Sequence, residues 1–410
     1  MTDALETLTR DELAKLGREY LLAGHLMDRA GMPYVIAEFG REEMRDVAID
    51  EWMGASPVYT RRMRRALGFD GDDVSTIFKG MQFDIGAPHQ FMDFRFTVHD
   101  ERHGEFTRAS CGALMDVEPM GPEFVVTMCH HIEDPTFDAT AAATNPRARM
   151  RPVHRPPRVP ADRLPHCNWV VEIDPDAEPI PEPEAARWLA GSRAAALELT
   201  TPASIEPGGA TDYAGAFDPD LRLESFSHAT LVRVLDEICL QGHLLSRSFM
   251  HAVERRHGVE TAIRLGTHQL TGIAGLTARR LVRHLGLGSD PMDLGLLLEL
   301  HPAFRPRAYV DFRVVLGDEL EVSVGPCEAL SEGDELTWPA LLAGPGTGAL
   351  DAIVRAADPR ARVRSVERRD DAAARWIVWV DPDAEVAPEP EEVALASFST
   401  GTDFRFAERG

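Results

Sequence analysis

The stretch NWVVEIDPDAEPIPEPE at residues 168–184 returns later in the chain as RWIVWVDPDAEVAPEPE at residues 375–391. Each copy begins with an apolar run rich in β-branched and aromatic residues, which predicts a strand. Each then continues through DPDAE into a segment rich in proline and glutamate. A match of this length within one chain indicates an internal duplication, and the duplication decides how the rest of the sequence is interpreted.

Shorter matches occur in the same order through the rest of the chain. GHL at residues 24–26 recurs at 242–244, and DFR at residues 93–95 recurs at 311–313. Both pairs are 218 positions apart, so no net insertion separates the two copies over this span. The sequence therefore predicts two copies of one structural unit rather than two unrelated domains.

The duplication predicts three parts of the chain. Copy one is expected at residues 1–184, a linker at 185–220 and copy two at 221–410. The linker prediction rests on the glycine, proline and small polar residues of TTPASIEPGGATDYAGAFDPD. Because duplicated units commonly pack like the subunits of a two-fold homodimer, we expect an intramolecular pseudo-dimer. Two independent domains are the alternative.

Each copy is predicted to begin with helices. Thr9 and Glu12 have the spacing of a capping box, which starts a first helix that is expected to end at Gly31. A second helix is predicted to run from Pro33 to near Gly54. A third helix is expected to begin at Ser56 and to end at Gly68, and a short fourth helix follows.

The periodicity then changes from helical to alternating. FMDFRFTVHD at residues 91–100 alternates apolar and polar side chains, which predicts a half-buried strand, and EFTRASCGAL is expected to pair with it as a hairpin. A helical segment and two closing strands complete the copy. The predicted fold class is α+β, with a helical N-terminal part followed by an antiparallel sheet with an inserted helix, built twice.

Composition limits the partners and the compartment. The net charge is −24, with 67 acidic and 43 basic residues, and such a surface repels nucleic acid and anionic lipid. The five cysteines are widely spaced without a CxxC pair, as expected of free thiols in a reducing cytoplasm. The sequence shows neither a signal peptide nor a long apolar run. A cytoplasmic protein with a small-molecule ligand is predicted, and the oligomeric state is left open.

The stretch TMCHHIEDP at residues 127–135 concentrates reactive side chains. On a helix, Cys129 would share a face with Glu133, and His130 would share one with Asp134, whereas His131 would point away from Cys129. A single catalytic or metal centre therefore cannot use all five groups. The candidate catalytic residues are Cys129, His131, Glu133 and Asp134.

These groups are confined to copy one. Alignment of the two copies places Cys129 on Leu342 and His154 on Glu367. The pair at residues 166–167, a histidine and a cysteine, falls on two alanines. Because the corresponding residues of copy two cannot bind a metal or transfer a proton in the same way, copy one is predicted to be the working unit and copy two a supporting one.

Three interpretations of these residues remain open. A metal site, with zinc as the best match to thiolate and imidazole donors, would use Cys129, Cys167, His154 and His166, with His131 as another candidate ligand. A covalent mechanism would use Cys129 as the nucleophile and a distant histidine as the base. The third interpretation is a polar helix end with one inward-facing cysteine.

The order of helices, hairpin, cysteine-bearing helix, NPR and a terminal Cys-aromatic strand resembles the L-2-amino-thiazoline-4-carboxylic acid hydrolase-like family. The segments that carry the resemblance are GREEMRDVAIDEW, LGFDGDDVSTIF, CHHIED, NPRARM and HCNWVVEI. The chain resembles 4-vinyl reductase domains more distantly. The first resemblance implies opening of a thiazoline or related C–N bond. The second implies binding of a small ligand beside a cysteine-ligated zinc, for which Cys129 and Cys167 are the candidates.

These observations predict a small-molecule enzyme, with hydrolysis of a C–N bond or thiazoline-like ring as the expected reaction and copy one as its location. The alternative is a non-catalytic module that binds or senses a small molecule and is stabilised by zinc.

Overall fold

A computed structural model describes residues 3–203, 206–317, 319–369 and 371–407. Residues 3–203 are referred to below as the first half, and the later ranges as the second half. Helices and two antiparallel sheets make up the fold. Across the described ranges, no helix combines the length and the apolar character that crossing a membrane requires.

The elements follow one another in a similar order in both halves. The first half contains helices α1 (Arg10–His25), α2 (Met27–Phe39), α3 (Arg41–Leu67), α4 (Val74–Met81), α5 (Gly112–Val117), α6 (Pro122–Val126), α7 (Glu133–Ala142), α8 (Glu184–Ala190) and α9 (Arg193–Ala196). Its strands are β1 (Met92–Val98), β2 (His103–Cys111), β3 (Ala148–His154) and β4 (Cys167–Ile173). The second half contains helices α10 (His228–His257), α11 (Val259–Leu285), α12 (Pro291–Leu300), α13 (Trp338–Ala343), α14 (Gly348–Arg355) and α15 (Glu391–Ala396). Its strands are β5 (Phe312–Val315), β6 (Leu320–Val324), β7 (Ala361–Ser365) and β8 (Ala374–Val380).

Helix α1 begins at the predicted capping box. The Thr9 hydroxyl accepts a hydrogen bond from the Glu12 amide at 3.3 Å, and the Glu12 carboxylate accepts one from the Thr9 amide at 2.8 Å. The predicted end at Gly31 is wrong, because α2 continues through Gly31 and Pro33. A Cβ on Gly31 would lie 3.0 Å from the Gln269 amide nitrogen, so this glycine allows close packing between helices rather than ending one.

The predicted helix end near Gly54 is also wrong. Helix α3 runs without interruption through Gly54 and Pro57 to Leu67. Gly54 is required for packing, since a Cβ there would lie 2.2 Å from the Ser248 hydroxyl of α10. The helix ends at Gly68 as predicted, where a φ of 64° places this residue in the left-handed region that favours glycine.

The two sheets have corresponding strand orders. The first sheet has the order β1-β2-β4-β3 and the second has β5-β6-β8-β7, and neighbouring strands are antiparallel throughout. Helices α5, α6 and α7 are inserted between β2 and β3. The predicted α+β class is confirmed at this level, as two four-stranded antiparallel sheets with helices at the N-terminal end of each half.

The long helices of both halves pack together. Helix α3 lies against α10, α2 lies against α11, and α1 lies against α10. The largest hydrophobic core contains buried side chains from both halves, including Leu21, Leu22, Leu244 and Leu276. The helical layer is therefore shared, and each sheet contributes further core residues from its own half.

The range predicted to be a linker, residues 185–220, begins with packed helices. Ala186 and Leu189 of α8 are fully buried, and α8 lies against α3. Arg62 donates hydrogen bonds to the carbonyl oxygens of Ala195 and Leu197, at 2.8 and 2.7 Å. These contacts hold the chain on the helical layer as it leaves the first half.

Candidate functional site

A cavity of about 120 Å³ lies in the first half, lined by residues of α1 to α4, β1, β2 and α7. Trp52, Met92, Phe94 and other apolar side chains form part of its wall. Its ionisable side chains, apart from Tyr59, are His25, Asp28, Arg29, Asp84, Arg108 and Glu133. Apolar walls with a few converging polar groups are typical of small-molecule sites, so we take this cavity as the candidate site.

Asp84 and Tyr59 form a hydrogen-bonded pair at the cavity. Asp84 is buried, and its Oδ1 accepts hydrogen bonds from the Tyr59 hydroxyl at 2.8 Å and from the Gly86 amide at 2.6 Å. Burial raises the pKa of Asp84 to about 6, although both hydrogen bonds act in the opposite direction. A carboxyl group with this pKa can exchange a proton near neutral pH, as a general acid or base must.

Asp28 and Glu51 form a pair of buried carboxyl groups. Glu51 is 0% exposed, and no donor among the described residues reaches either of its carboxyl oxygens. Burial and the neighbouring Asp28 charge raise the pKa of Glu51 well above its usual value. Asp28 accepts a hydrogen bond from the Trp52 indole at 3.0 Å, and burial also raises its pKa. Both shifts favour the protonated form, so the structure favours a proton on this pair, and Glu51 is the group with the larger rise in pKa.

Arg108 places a positive charge beside the cavity. It is 1% exposed, and its Nη2 donates to Glu133 Oε1 at 2.7 Å. Its guanidinium carbon lies 5.3 Å from the ring centres of both Phe94 and Phe137. Arg108 Nε and Glu133 Oε2 are buried and have no hydrogen-bond partner among the described residues. The ion pair thus leaves one donor and one acceptor unsatisfied among the described residues.

His25 and Arg29 complete the ionisable lining. Arg29 Nε donates to Asp116 Oδ2 at 3.0 Å, and His25 Nε2 lies 3.3 Å from Arg29 Nη2. Burial and the charge of Arg29 lower the pKa of His25 well below its usual value. His25 is therefore neutral and accepts a hydrogen bond from Arg29, so it cannot act as a cation at the site.

Cys129 lies next to the cavity but not on its wall. It belongs to a π-helical turn, Thr127–Ile132, and it is 2% exposed within the hydrophobic core. Burial and the neighbouring Glu133 charge raise the pKa of Cys129 well above its usual value. A thiol in this environment stays protonated, which is the opposite of what a nucleophilic cysteine requires.

The other three candidate catalytic residues are separated. Glu133 lines the cavity and pairs with Arg108. His131 is exposed to solvent, and Asp134 forms an ion pair with Arg155 at the protein surface. Of the four predicted catalytic residues, only Glu133 reaches the cavity.

The candidate metal ligands are partly brought together. Cys129, Cys167 and the additional Cys111 lie close enough to Arg108 to interact with its charge. Burial raises the pKa of Cys167 to about 11, in spite of the Arg108 charge. Among the described residues, no three Cys, His, Asp or Glu side chains are grouped so that they could hold a metal ion. A buried arginine among protonated thiols also disfavours a second cation, so the zinc site stays a prediction.

The two histidines of that set occupy different positions. His154, at the end of β3, lies opposite Asn168 of β4 and is half-buried. His166 is buried, its amide donates to the Arg108 carbonyl at 2.8 Å, and its Nδ1 has no partner among the described atoms. Burial and the charge of Arg158 lower the pKa of His166, so this imidazole is neutral and able to accept a hydrogen bond.

Sequence reasoning missed most of the ionisable groups at the cavity, although a signal was present. At the offset of 218, four of these positions correspond to neutral residues, but His25 and Arg29 correspond to His243 and Arg247. Strand pairing places Val324 opposite Arg108. The corresponding pairs are Asp28 and Ser246, Glu51 and Gln269, Tyr59 and Thr277, Asp84 and Pro302, and Arg108 and Val324.

Less open space is found at the positions 218 residues later, where a cavity of only about 20 Å³ is lined by Thr277 and Pro302 among others. Phe304, which lies 218 positions after Gly86, is 2% exposed and stacks on Phe312 with 3.9 Å between the ring centres. Ser246 donates a hydrogen bond to Gln269 at 2.9 Å where the first half has two carboxyl groups. The larger of these two cavities, and the buried carboxyl groups beside it, therefore lie in the first half.

Comparison of the chain with protein families, with curated proteins and with solved structures finds no match. The resemblance to the thiazoline carboxylate hydrolase-like family stays an expectation, and the function is argued from the site.

Proposed function

We propose that the chain is a small-molecule enzyme whose first half carries an acid–base site, with Asp84 as the proton-transfer group. The observation that carries the proposal is the position of Asp84, whose pKa is raised to about 6 while its side chain lines the cavity. A general base is most effective when its pKa is close to the working pH.

Hydrolysis of a C–N bond is the proposed reaction. Asp84 takes a proton from water as the hydroxide oxygen bonds to the electrophilic carbon, and it returns the proton to nitrogen as the C–N bond breaks. Tyr59 orients the Asp84 carboxylate through its 2.8 Å hydrogen bond. Arg108, which lines the cavity, stabilises negative charge on the substrate. No thiol takes part, because burial keeps Cys129 and Cys167 protonated.

We further propose that the two halves are a duplicated, pseudo-two-fold pair. Two buried ion pairs between the halves support this, because Arg62 contacts Glu237 and Arg280 contacts Glu19, each with 2.7 Å between nitrogen and oxygen. Arg62 corresponds to Arg280 and Glu19 to Glu237 at the offset of 218. At a two-fold interface each contact occurs twice, because the counterparts of two contacting residues also contact each other. The two ion pairs follow this pattern.

The segments that follow α8 and α15 support the same symmetry. Ser399 and Thr400 donate hydrogen bonds to Asp116 of the first half, at 2.6 and 2.7 Å. In the reciprocal contact, the amides of Arg193 and Ala194 donate to Glu332 of the second half. Each half thus extends a segment onto the other, and in this proposal the second half supports the site of the first.

A binding or sensor module without turnover is the second candidate. The cavity volume of about 120 Å³ is small beside the roughly 300–1,000 Å³ usual for ligand sites, so both candidates require a small ligand. The cysteines near Arg108 keep the zinc-stabilised form of this proposal open. Elemental analysis of the purified protein tests it, since about one zinc per chain without turnover favours the second candidate.

The enzyme proposal is tested with a panel of small cyclic amidines and thiazoline carboxylates, with 2-amino-thiazoline-4-carboxylate included. Mass spectrometry detects the addition of water. We expect turnover that rises with pH around 6 and is lost in Asp84→Asn. The matched control is Asp212→Asn, which changes an exposed aspartate away from the cavity. Turnover that Asp84→Asn leaves unchanged would reject the assigned role.

A further inference from the structure

A second, larger cavity of about 600 Å³ lies between the two halves. Its walls come from α1, from the last turns of α11, from the segment that precedes α10, and from residues 404–407 near the C-terminus. Its volume is within the range of about 300–1,000 Å³ that is typical of small-molecule sites. It shares no lining residue with the acid–base cavity.

The charge of this cleft is opposite to that of the whole protein. Three carboxylates line it, Asp11, Glu19 and Glu224. The cationic side chains that line it are Lys15, Arg18, Arg222, Arg280, Arg283 and Arg405. In a chain of net charge −24, a local excess of positive charge concentrates anions at this place.

Two of the arginines are held by contacts within the protein. Arg280 pairs with Glu19 and also donates to the Gly401 and Phe404 carbonyls, at 2.6 and 2.9 Å. Arg18 pairs with Glu224 at 2.6 Å. Arg283 and Arg405 lie at the solvent side, where Arg283 has only the exposed Asp403 as its ion-pair partner within the described part of the chain. Burial and the charges of Arg18, Lys15 and Arg280 lower the pKa of His284, consistent with a positive field in the cleft.

One wall of the cleft is aromatic. Phe404 and Phe406 lie with their ring centres 5.3 Å apart, and both line the cavity. The chain is held there by Gln90, which accepts a hydrogen bond from the Ala407 amide at 2.7 Å and donates one to its carbonyl at 3.2 Å. Gln90 has a φ of 64°, in the region that non-glycine residues seldom adopt. The residue that holds the two phenylalanines in place therefore has a strained backbone conformation.

The symmetry-related positions keep part of this charge. At the offset of 218, Lys15 and Arg283 correspond to Arg233 and Arg65, whereas Arg18 corresponds to Asp236. Asp236 is buried and pairs with Arg305 at 3.0 Å, so the two places differ at this position.

We propose that this cleft binds a small organic anion with a flat apolar portion. Arg283 and Arg405 hold the anionic group, and the apolar portion lies against Phe404 and Phe406. Arginine presents several donors to a phosphate or carboxylate oxygen and stacks on flat groups, which suits it to such a ligand.

Isothermal titration calorimetry at low salt tests the proposal, with phenyl phosphate, benzoate, inorganic phosphate and phenol as probes. The wild-type protein should bind one or both aromatic anions at least tenfold more tightly than inorganic phosphate or phenol, and the better of the two identifies the anionic group. Binding should weaken as salt is added, because salt screens exposed charges. An affinity for inorganic phosphate equal to that for both aromatic anions would overturn the proposal, as would no binding at millimolar concentration.

Charge reversal locates the site. Arg283→Glu with Arg405→Glu should weaken binding at least tenfold, since it removes both cationic donors and places two negative charges beside the anion. Arg147→Glu is the matched control, because Arg147 is exposed and lies outside the cleft. If the double variant unfolds at a lower temperature, Arg405→Glu alone is used, with a weakening of about threefold expected. Equal affinity in the variant and the control would overturn the proposal.

Discussion

Replacement of Glu51 by glutamine should stabilise the protein at neutral pH. Glu51 is fully buried beside Asp28, and its pKa is raised well above the usual value by burial and by the Asp28 charge. The folded protein therefore binds a proton there that the unfolded chain releases. Glutamine needs no proton and can donate its amide to Asp28 Oδ1, which has no hydrogen-bond partner among the described residues. Gln269 occupies the corresponding position of the second half.

The size of the effect follows from proton linkage. A group with a raised folded-state pKa contributes stability below its unfolded pKa, and that stability is lost as pH rises towards the folded pKa. For one proton the slope is about 1.4 kcal/mol per pH unit. Between pH 5.5 and 7.5, Glu51→Gln should therefore gain stability relative to wild type, by up to about 2.8 kcal/mol if the proton stays bound to the folded protein throughout this range. Asp84 also titrates in this range, but its contribution is the same in both proteins and cancels.

Urea unfolding at pH 5.5, 6.5 and 7.5, followed by circular dichroism, measures this difference. Glu101→Gln is the control, because Glu101 is exposed at the turn between β1 and β2, and this variant should follow wild type at each pH. A difference between Glu51→Gln and wild type that does not change with pH would refute the proton-sharing pair. So would a variant that is less stable than wild type at pH 7.5.

Three further predictions follow from the packing. Phe304→Ala should destabilise the protein by about 3–5 kcal/mol in urea unfolding, because it opens a cavity in a filled core, and a loss below about 1 kcal/mol would contradict that filling. Tyr59→Phe should raise the pKa of Asp84 further, because it removes a hydrogen bond to the carboxylate; a lower pKa, measured by carbon NMR, would contradict this. In native protein, Ellman's reagent should modify the half-buried Cys327 before Cys129, and the reverse order would contradict the burial of Cys129.

The sequence predicted the elements that local rules determine. The capping box at Thr9 and the end of a helix at Gly68 are decided within a few residues, by hydrogen bonding and by backbone conformation. Gly31 and Gly54 resemble helix ends in the sequence, but their role is tertiary. Both glycines allow a helix of the second half to approach closely, and no local pattern contains this information.

The candidate site shows a similar division. The stretch with Cys129 is a candidate site in the sequence because it combines reactive residue types. Burial determines whether a thiol can react, however, and burial depends on the complete fold. Asp28, Tyr59 and Asp84 are far apart in sequence and look ordinary in isolation. The signal for these three residues is their difference from the second half, because each corresponds to a residue without an ionisable side chain at the offset of 218.

The most direct test of the central claim is the pKa of Asp84 in the folded protein. Carbon NMR of protein labelled at the aspartate carboxyl carbons follows each carboxyl group through a pH titration, and Asp84→Asn identifies the resonance. Our account predicts a midpoint at about pH 6, where the group can transfer protons near neutrality. A midpoint near 3.8, the usual value for aspartate, would contradict the acid–base site.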